Sequence, residues 1–310
     1  METPSTNEIR FLQATEMGLG AWSWGDRIMW NYGHGYSDDD IRAAFDVSVE
    51  EGIRFIDTAE SYGNGRSERL LGQFIKESQQ PVLVATKFTP YPWRLNKKLL
   101  LNAIEHNLER LGMDSVDLYQ IHFPFPFTSI ETWMDGMAEA VNQGLTRAIG
   151  VSNFNQSQML RAYSALAQKN ISLASNQMHY SLLDRSIEKN GILARCQELG
   201  IRLIAYSPLE MGLLSGKYST ENPPAGLRGR RYGSLLTKLP ALLKLMTEIG
   251  QDLGGKSLVQ IALNWCICKG TLPIPGAKTA EQAQQNAGAL GWRLTEDQVN
   301  ALDVASDLLG

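Results

Sequence analysis

Gly52-Ile53-Arg54-Phe55-Ile56-Asp57-Thr58-Ala59-Glu60-Ser61-Tyr62-Gly63 is an apolar run that ends in polar chemistry. Residues 53–56 read as a buried strand, and the turn after it carries a carboxylate at Asp57 and a phenol at Tyr62. Two later runs end the same way, Val82-Leu83-Val84-Ala85-Thr86-Lys87 and Val116-Asp117-Leu118-Tyr119-Gln120-Ile121-His122. As neighbours in one parallel sheet, these three strands would bring four titratable side chains to one end of it.

Outward from that stretch, strand-like runs alternate with helical ones along the chain. The strands are expected at 16–19, 53–56, 82–86, 116–121, 146–150, 173–176, 202–205 and 272–274. Amphipathic helices are expected at 38–51, 66–77, 96–111, 130–142, 156–168 and 191–199. Acidic residues open the first of these, as suits a helix N-terminus, and Gly52 closes it. Gly112, Gly144 and Gly200 likewise each precede a strand. A repeat of roughly 30 residues, about eight times over, matches a closed eightfold barrel, whereas an open doubly wound sheet usually has fewer strands.

The interval between residues 205 and 272 is about twice the usual unit, and long loops in compact domains are usually functional or mobile. Two helices fit there, 239–253 and 257–268, after a Gly/Pro/Arg-rich loop at 219–234. The expectation is an α/β fold: a single (β/α)8 TIM barrel domain over residues 1–310, with a long loop and extra helix after strand 7.

Composition narrows the function. The chain has 310 residues, 43% hydrophobic and 20% charged, with a net charge of −4, which supports a large core. A mildly acidic chain without basic runs suits neither nucleic acid nor an anionic membrane. The polar first residues, 1–10, lack the apolar core of a signal peptide, and no apolar run is long enough to span a bilayer. The three cysteines, Cys196, Cys266 and Cys268, and four scattered histidines give no metal-ligand spacing. Thiols of this kind suit buried positions in a reducing cytoplasm.

Gly250-Gln251-Asp252-Leu253-Gly254-Gly255-Lys256-Ser257 matches the phosphate-loop pattern letter for letter. That loop must follow a strand, whereas the residues before it have helical period. A helix end at Gly254 and Gly255, with Ser257 capping the next helix, is the reading favoured here. Nor does Gly18-Leu19-Gly20 make a dinucleotide fingerprint, because the third glycine is misplaced.

The polar strand ends carry more. Barrel active sites form at the carboxyl ends of several strands. A buried Lys87 and a buried Asp57 would each serve as the other's partner. A tyrosine beside that ammonium is expected to have its pKa lowered from about 10, which suits proton transfer. His122 would orient a substrate or share the proton.

These residues resemble the aldo-keto reductase family. Residues 52–63 resemble its first signature, Lys87 after its strand the second, and Gln120-Ile121-His122 the third. Gly150-Val151-Ser152-Asn153-Phe154, Asn176-Gln177, Ala205-Tyr206-Ser207-Pro208-Leu209 and Pro273-Ile274-Pro275-Gly276-Ala277-Lys278 follow in order over nearly the whole chain. The resemblance implies NADP(H) lying extended across the top of the barrel, with NAD(H) as the alternative. It implies Tyr62 as general acid/base, tuned by Lys87 and Asp57, with His122 placing the carbonyl. Ser152, Asn153 and Gln177 would hold the carboxamide and Tyr206 would stack under the nicotinamide. Ser207, Leu209 and nearby backbone would meet the pyrophosphate, and Gly20, Ala21, Trp22, Asp57, Gly212 and Lys217 are further cofactor-binding positions by the same resemblance. At the adenosine end Lys278 and Thr279 would grip a 2′-phosphate and Asn286 would reach adenine, with Gly276, Gln282 and Gln285 as further cofactor-binding positions. Many relatives carry an arginine where Gln282 stands here. Thr279-Ala280-Glu281-Gln282 also reads as a capping box, and a helix N-terminus suits phosphate. Arg228, Arg230 and Arg231 would either close over the cofactor phosphates or form a solvated basic loop.

Aromatic loops should wall the substrate pocket: Trp24, Trp30, Trp93 and Phe123 in particular, with Trp22, Tyr32, Tyr91, Phe125 and Phe127 nearby. Such walls suit aromatic or hydrophobic aldehydes and ketones. The chain ends soon after Trp292, leaving little tail to narrow the pocket. The function implied is NADPH-dependent reduction of aldehydes and ketones to alcohols, by a cytoplasmic monomer or weak oligomer acting on a small carbonyl substrate. A catalytically weak, nicotinamide-binding redox sensor resembling potassium-channel β subunits is the second reading. A barrel aldolase using Lys87 as a Schiff base is the third.

Overall fold

The computed structural model describes residues 9–224, 232–233 and 235–309. Eight parallel strands pair in chain order. They are β1 Gly18–Gly20, β2 Phe55–Asp57, β3 Leu83–Phe88, β4 Val116–Ile121, β5 Thr146–Ser152, β6 Leu173–His179, β7 Arg202–Tyr206 and β8 Leu272–Pro273. A parallel bridge from Gly20 to Gly276 brings the last strand back to the first. The Gly20 amide donates to the Pro275 carbonyl at 3.0 Å, so the sheet closes into a barrel.

Helices fill the connections: α1 Arg10–Ala14, α2 Asp38–Glu50, α3 Arg66–Ser78, α4 Lys97–Leu111, α5 Ile130–Asn142, α6 Gln156–Ala167, α7 Ser186–Lys189 and α8 Ile192–Glu198. After β7 come a 3₁₀ turn, Glu210–Ser215, then α9 Leu239–Asp252 and α10 Leu258–Cys268. The chain finishes with α11 Ala280–Ala287 and α12 Glu296–Asp307. The local reasons are legible. Ser37 and Asp40 form a reciprocal capping box on α2. Gly112 ends α4 in the left-handed region at φ +64°, where a β-carbon is costly.

Two cores result. Between the sheet and the helices lies the larger one, including Phe45, Trp133, Phe154 and Trp265. Inside the barrel, Phe55, Ala85, Leu118, Ala148, Ala174, Ile204 and Leu272 contribute one side chain from each of β2 to β8. Leu12 of α1 joins this layer and plugs the floor. Because side chains alternate across a strand, the residues two further along β2, β3 and β4 also face the barrel axis. They are Asp57, Lys87 and Gln120.

The chain departs from the sequence expectation mainly at edges. β3, β5 and β6 run on to Phe88, Ser152 and His179, because the backbone pairing of their neighbours sustains them past their apolar runs. Little tail is expected after Trp292, and the chain there forms a full helix, α12, capped by Thr295 and Gln298. It is pinned to the barrel wall by Arg185, whose guanidinium donates to the Asp303 carbonyl at 2.7 Å. The phosphate-loop lookalike lies across the end of α9, and the amides of Gly255 and Lys256 both return to the Gly250 carbonyl. Ser257 caps α10 in a capping box with Gln260.

Candidate active site

A polar layer sits directly on the apolar floor of the barrel. Asp57 and Lys87 are buried and paired. The Lys87 ammonium has three N–H groups and three acceptors: an Asp57 carboxylate oxygen, the Thr58 carbonyl at 2.9 Å and the Tyr62 hydroxyl at 3.2 Å. The other Asp57 oxygen accepts from Gln120 Nε2 at 3.1 Å and Gln177 Nε2 at 2.8 Å. A buried ion pair is tolerated when further hydrogen bonds serve its members; here all three ammonium hydrogens and both carboxylate oxygens are engaged. Gly150 makes room for this network. A β-carbon there would come within 2.3 Å of Ser175 Oγ and 2.9 Å of Gln120 Cγ.

Tyr62 stands in the loop above, its ring 5.8 Å from that of His122 and nearly perpendicular to it. Burial raises the phenol's pKa; the Lys87 ammonium pulls it down, but not enough to prevail. The expectation of a lowered pKa is therefore corrected: desolvation outweighs the cation, and Tyr62 holds its proton. Burial, assisted by the charge of Lys87, pushes His122 down to about 3, so its imidazole is neutral. Its Nδ1 lies 3.4 Å from Ser61 Oγ and 3.5 Å from Thr89 Oγ1. Lys87 is driven the other way. Burial opposes its charge, but Asp57 and Tyr62 together raise its pKa.

A cleft of about 970 Å³ opens over this layer and runs across the barrel mouth to α11. Near Tyr62 it is walled by Ser152, Asn153, Gln177 and Tyr206. Asn153, at φ +60°, accepts from the Tyr206 hydroxyl at 3.0 Å and donates to the His122 carbonyl at 3.1 Å. In the middle the wall is a turn with three non-glycine residues in the left-handed region: Ser207, Glu210 and Met211. Such strain persists only where the surroundings hold it. Leu209, Gly212 and Lys217 line the same stretch. At the far end stand Gly276, Lys278, Thr279, Gln282, Gln285 and Asn286. The donor set fits a dinucleotide: amides and a flat ring at one end, backbone amides in the middle, a lysine and a helix N-terminus at the other. Ser23 Oγ, on the cleft wall, is buried with no hydrogen-bond partner among the described residues.

Residues 16–307 match the model of the aldo/keto reductase family. The chain belongs to the aldo/keto reductase family. It is 43% identical to the chloroplastic pyridoxal reductase of Arabidopsis thaliana over 95% of this chain and 84% of that one. The structure of a glycerol dehydrogenase from Gluconobacter oxydans superposes with a TM-score of 0.83 at 28% identity, covering 94% of this chain and 90% of that one. An aldo/keto reductase from Klebsiella pneumoniae, solved with NADP and acetate, gives a TM-score of 0.74 at 28% identity, covering 93% and 90%.

In this aldo/keto reductase, Gly20 and Trp22 line the cleft but Ala21 is buried behind it. Of the four aromatic walls expected for substrate, Trp30 lines the cleft. Trp24 does not: it is fully buried against Phe45 and Phe74, its Nε1 donating to the Ala277 carbonyl at 3.1 Å. Its neighbour Trp22 takes the opposite face of the loop and meets the cleft. Trp93 is 68% exposed and stacks on Tyr91, off the cleft. Phe123 packs beside His122, 5.7 Å between ring centres, without lining the cleft. Two further walls, His34 and Tyr36, are brought over by the β1 loop and carry no signal in the sequence that marks them. Gln120, legible in the sequence only as part of a signature, is a direct partner of Asp57.

The Thr279 cap on α11 forms, but Gln282 closes it differently from a capping box. Its Oε1 accepts from the Lys278 amide at 2.9 Å. The Lys278 ammonium lies over the rings of Trp30 and Tyr36, at 4.7 and 4.4 Å. Arg228, Arg230 and Arg231 lie outside the described residues. Among the described residues, no helix is long and apolar enough to cross a membrane, and no group of His, Cys, Asp or Glu could hold a metal ion.

Proposed function

We propose that this chain is an NADPH-dependent carbonyl reductase, reducing aromatic and other hydrophobic aldehydes and ketones to alcohols, with Tyr62 as the general acid. The observation that carries the reading is the saturated Lys87 ammonium. Two of its N–H groups are spent on Asp57 and Thr58, and the third is aimed at the Tyr62 hydroxyl. An ammonium so committed has no lone pair for a Schiff base, which argues against the aldolase reading.

When bound, the nicotinamide supplies hydride to the carbonyl carbon. Everything else falls to side chains. Tyr62 passes its proton to the carbonyl oxygen as that oxygen gains charge, and the Lys87 ammonium stabilises the phenolate left behind. Asp57, tied by Gln120 and Gln177, keeps Lys87 in place. With a hydroxyl donating to Nδ1, neutral His122 would offer Nε2–H to the substrate oxygen. Ser152, Asn153 and Gln177 suit the carboxamide, and Tyr206 the ring face. Lys278 and the start of α11 suit a 2′-phosphate, which favours NADPH over NADH.

Pyridoxal, named for the Arabidopsis relative, is an aromatic aldehyde of the expected kind and heads the substrate panel. A reducing cytoplasmic setting belongs to the same proposal; the relative's printed name assigns that protein to the chloroplast. The test is NADPH oxidation against pyridoxal, aryl aldehydes and alkyl aldehydes by wild type and Tyr62→Phe. The expected loss on Tyr62→Phe is about 10²- to 10⁴-fold in kcat. Equal rates in the two proteins would sink the assignment, and tight NADPH binding without turnover on any carbonyl would favour the redox-sensor reading.

A further inference from the structure

Against the ring of Tyr206, among residues that do not line the cleft, lies an ionic cluster. His179 ends β6 opposite Tyr206 of β7 in the sheet register, and the two rings stack at 5.3 Å with 9° between their planes. Both imidazole nitrogens face carboxylates: Nδ1 lies 3.0 Å from Asp184 and Nε2 lies 2.7 Å from Glu210. Only the imidazolium has a proton for each. Glu210 is buried, sits at φ +46° in the strained turn, and is also held by the Tyr232 hydroxyl at 2.8 Å and Ser181 Oγ at 3.3 Å. Its neighbours on either side, Leu209 and Met211, line the cleft; Glu210 and His179 do not.

We infer that His179 is a positioning residue for the dinucleotide: as an imidazolium clamped between Asp184 and Glu210, it fixes the plane of Tyr206 and the strained turn from Ser207 to Gly212, and loss of its proton loosens that turn and weakens dinucleotide binding. The inference rests on the dinucleotide reading above. The energetic logic is that three left-handed non-glycine residues are strained and need an external tether. Glu210 is the residue of that turn with three side-chain partners, contributed by β6, by the loop after β6 and by Tyr232.

The sign follows from the groups around the ring. Among the described residues, those that titrate or carry charge there are Asp184, Glu210, Tyr206 and Tyr232; Arg185 is turned away to Glu188, Asp303 and Asp307. Burial alone would drive the proton off His179, but the hydrogen bonds and charges of Asp184 and Glu210 prevail and raise it to about 9. Asp184 is held well below the ordinary carboxylate range, chiefly by the hydrogen bond from His179. A group raised on folding contributes stability that is complete below its free value of about 6.5 and is lost as pH rises through its folded one. The turn is therefore tethered at neutral pH and released above pH 9.

The test is the Kd of NADPH and of NADH, from the change in nucleotide fluorescence, for wild type, His179→Gln and Glu210→Gln between pH 7 and pH 10. Amide hydrogen exchange of residues 207–216 is compared between the nucleotide-free proteins at one pH. Wild type is expected to weaken on the order of tenfold over this range, with His179→Gln already weak at pH 7 and flat thereafter. The 207–216 segment should exchange faster in His179→Gln than in wild type. Glu210→Gln, which keeps the shape of the side chain, carries the same expectation should His179→Gln misfold. A Kd within twofold of wild type at pH 7, with the same pH slope, would overturn the inference, as would unchanged exchange at 207–216. Failure of every protein to bind either nucleotide would overturn the dinucleotide reading as well, which separates the two.

Discussion

Replacing Lys87 by Met removes the centre of the polar layer while nearly keeping its volume. Three donated hydrogen bonds go, and the Asp57 carboxylate is left buried with two glutamine amides and no cation. Breaking one side of a buried pair in this way costs about 3–5 kcal/mol, because the surviving charge is uncompensated. Hydrogen bonds to charged groups, at roughly 1.5–3 kcal/mol each, give the same order when the ammonium's bonds are removed. The companion is the double variant Asp57→Asn/Lys87→Met, in which nothing charged remains and the two glutamines can still meet an amide. Urea unfolding at neutral pH should place Lys87→Met about 3–5 kcal/mol below wild type and return the double variant to within roughly 1–2 kcal/mol of it. Carbonyl reduction should stay low in both, since neither offers an ammonium to Tyr62. A loss under about 1 kcal/mol in Lys87→Met, or a double variant less stable than the single, would refute the claim that Asp57 exists to neutralise Lys87.

Gly150→Ala should destabilise by about 1–3 kcal/mol in thermal or urea unfolding, because its methyl must displace Gln120 or Ser175, and it should lower kcat by disturbing Asp57. Trp24→Phe should cost stability, about 1–3 kcal/mol from the stranded Ala277 carbonyl plus poorer packing, and leave the KM for aldehyde unchanged; Trp30→Ala should do the reverse and change KM. The pH profile of kcat for reduction should be flat from about pH 5 to 9, since His122 stays neutral throughout and Tyr62, raised above 10, loses its proton only beyond that range. A limb near pH 6.5 in that profile, absent in His122→Gln, would contradict it. Lys278→Met should narrow the ratio of NADH to NADPH Kd several-fold, measured by nucleotide fluorescence titration.

Much of the site was legible because barrel chemistry is local in sequence: a strand end supplies its residue within a few positions of the apolar run that buries it. Asp57, Lys87 and His122 each follow their apolar run in this way, and the fold brings them together around Tyr62. The direction of the Tyr62 pKa is not readable from the letters, because it depends on whether burial or the Lys87 charge prevails, and burial is set by the loops that fold over the strand ends. Trp24 and Trp22 show the same limit at the scale of one loop. The letters match, yet one ring enters the core and the other the cleft.

The amino-acid pattern by itself determined the strand–helix alternation, the eightfold count and the titratable residues at the carboxyl ends of β2, β3 and β4, because periodicity and capping act over a few residues. Only the tertiary structure decided which of those polar groups are saturated, which rings face the cleft, and that His179, Asp184 and Glu210 form one cluster behind Tyr206. Most of those contacts join residues 25 or more positions apart, as Lys87–Tyr62 and His179–Glu210 do, and their energies depend on how completely water is excluded where the strands converge. The stretch from Gly52 to Gly63 could announce a carboxylate and a phenol; closure of the barrel gave Asp57 two glutamines and an ammonium, and gave Tyr62 its proton.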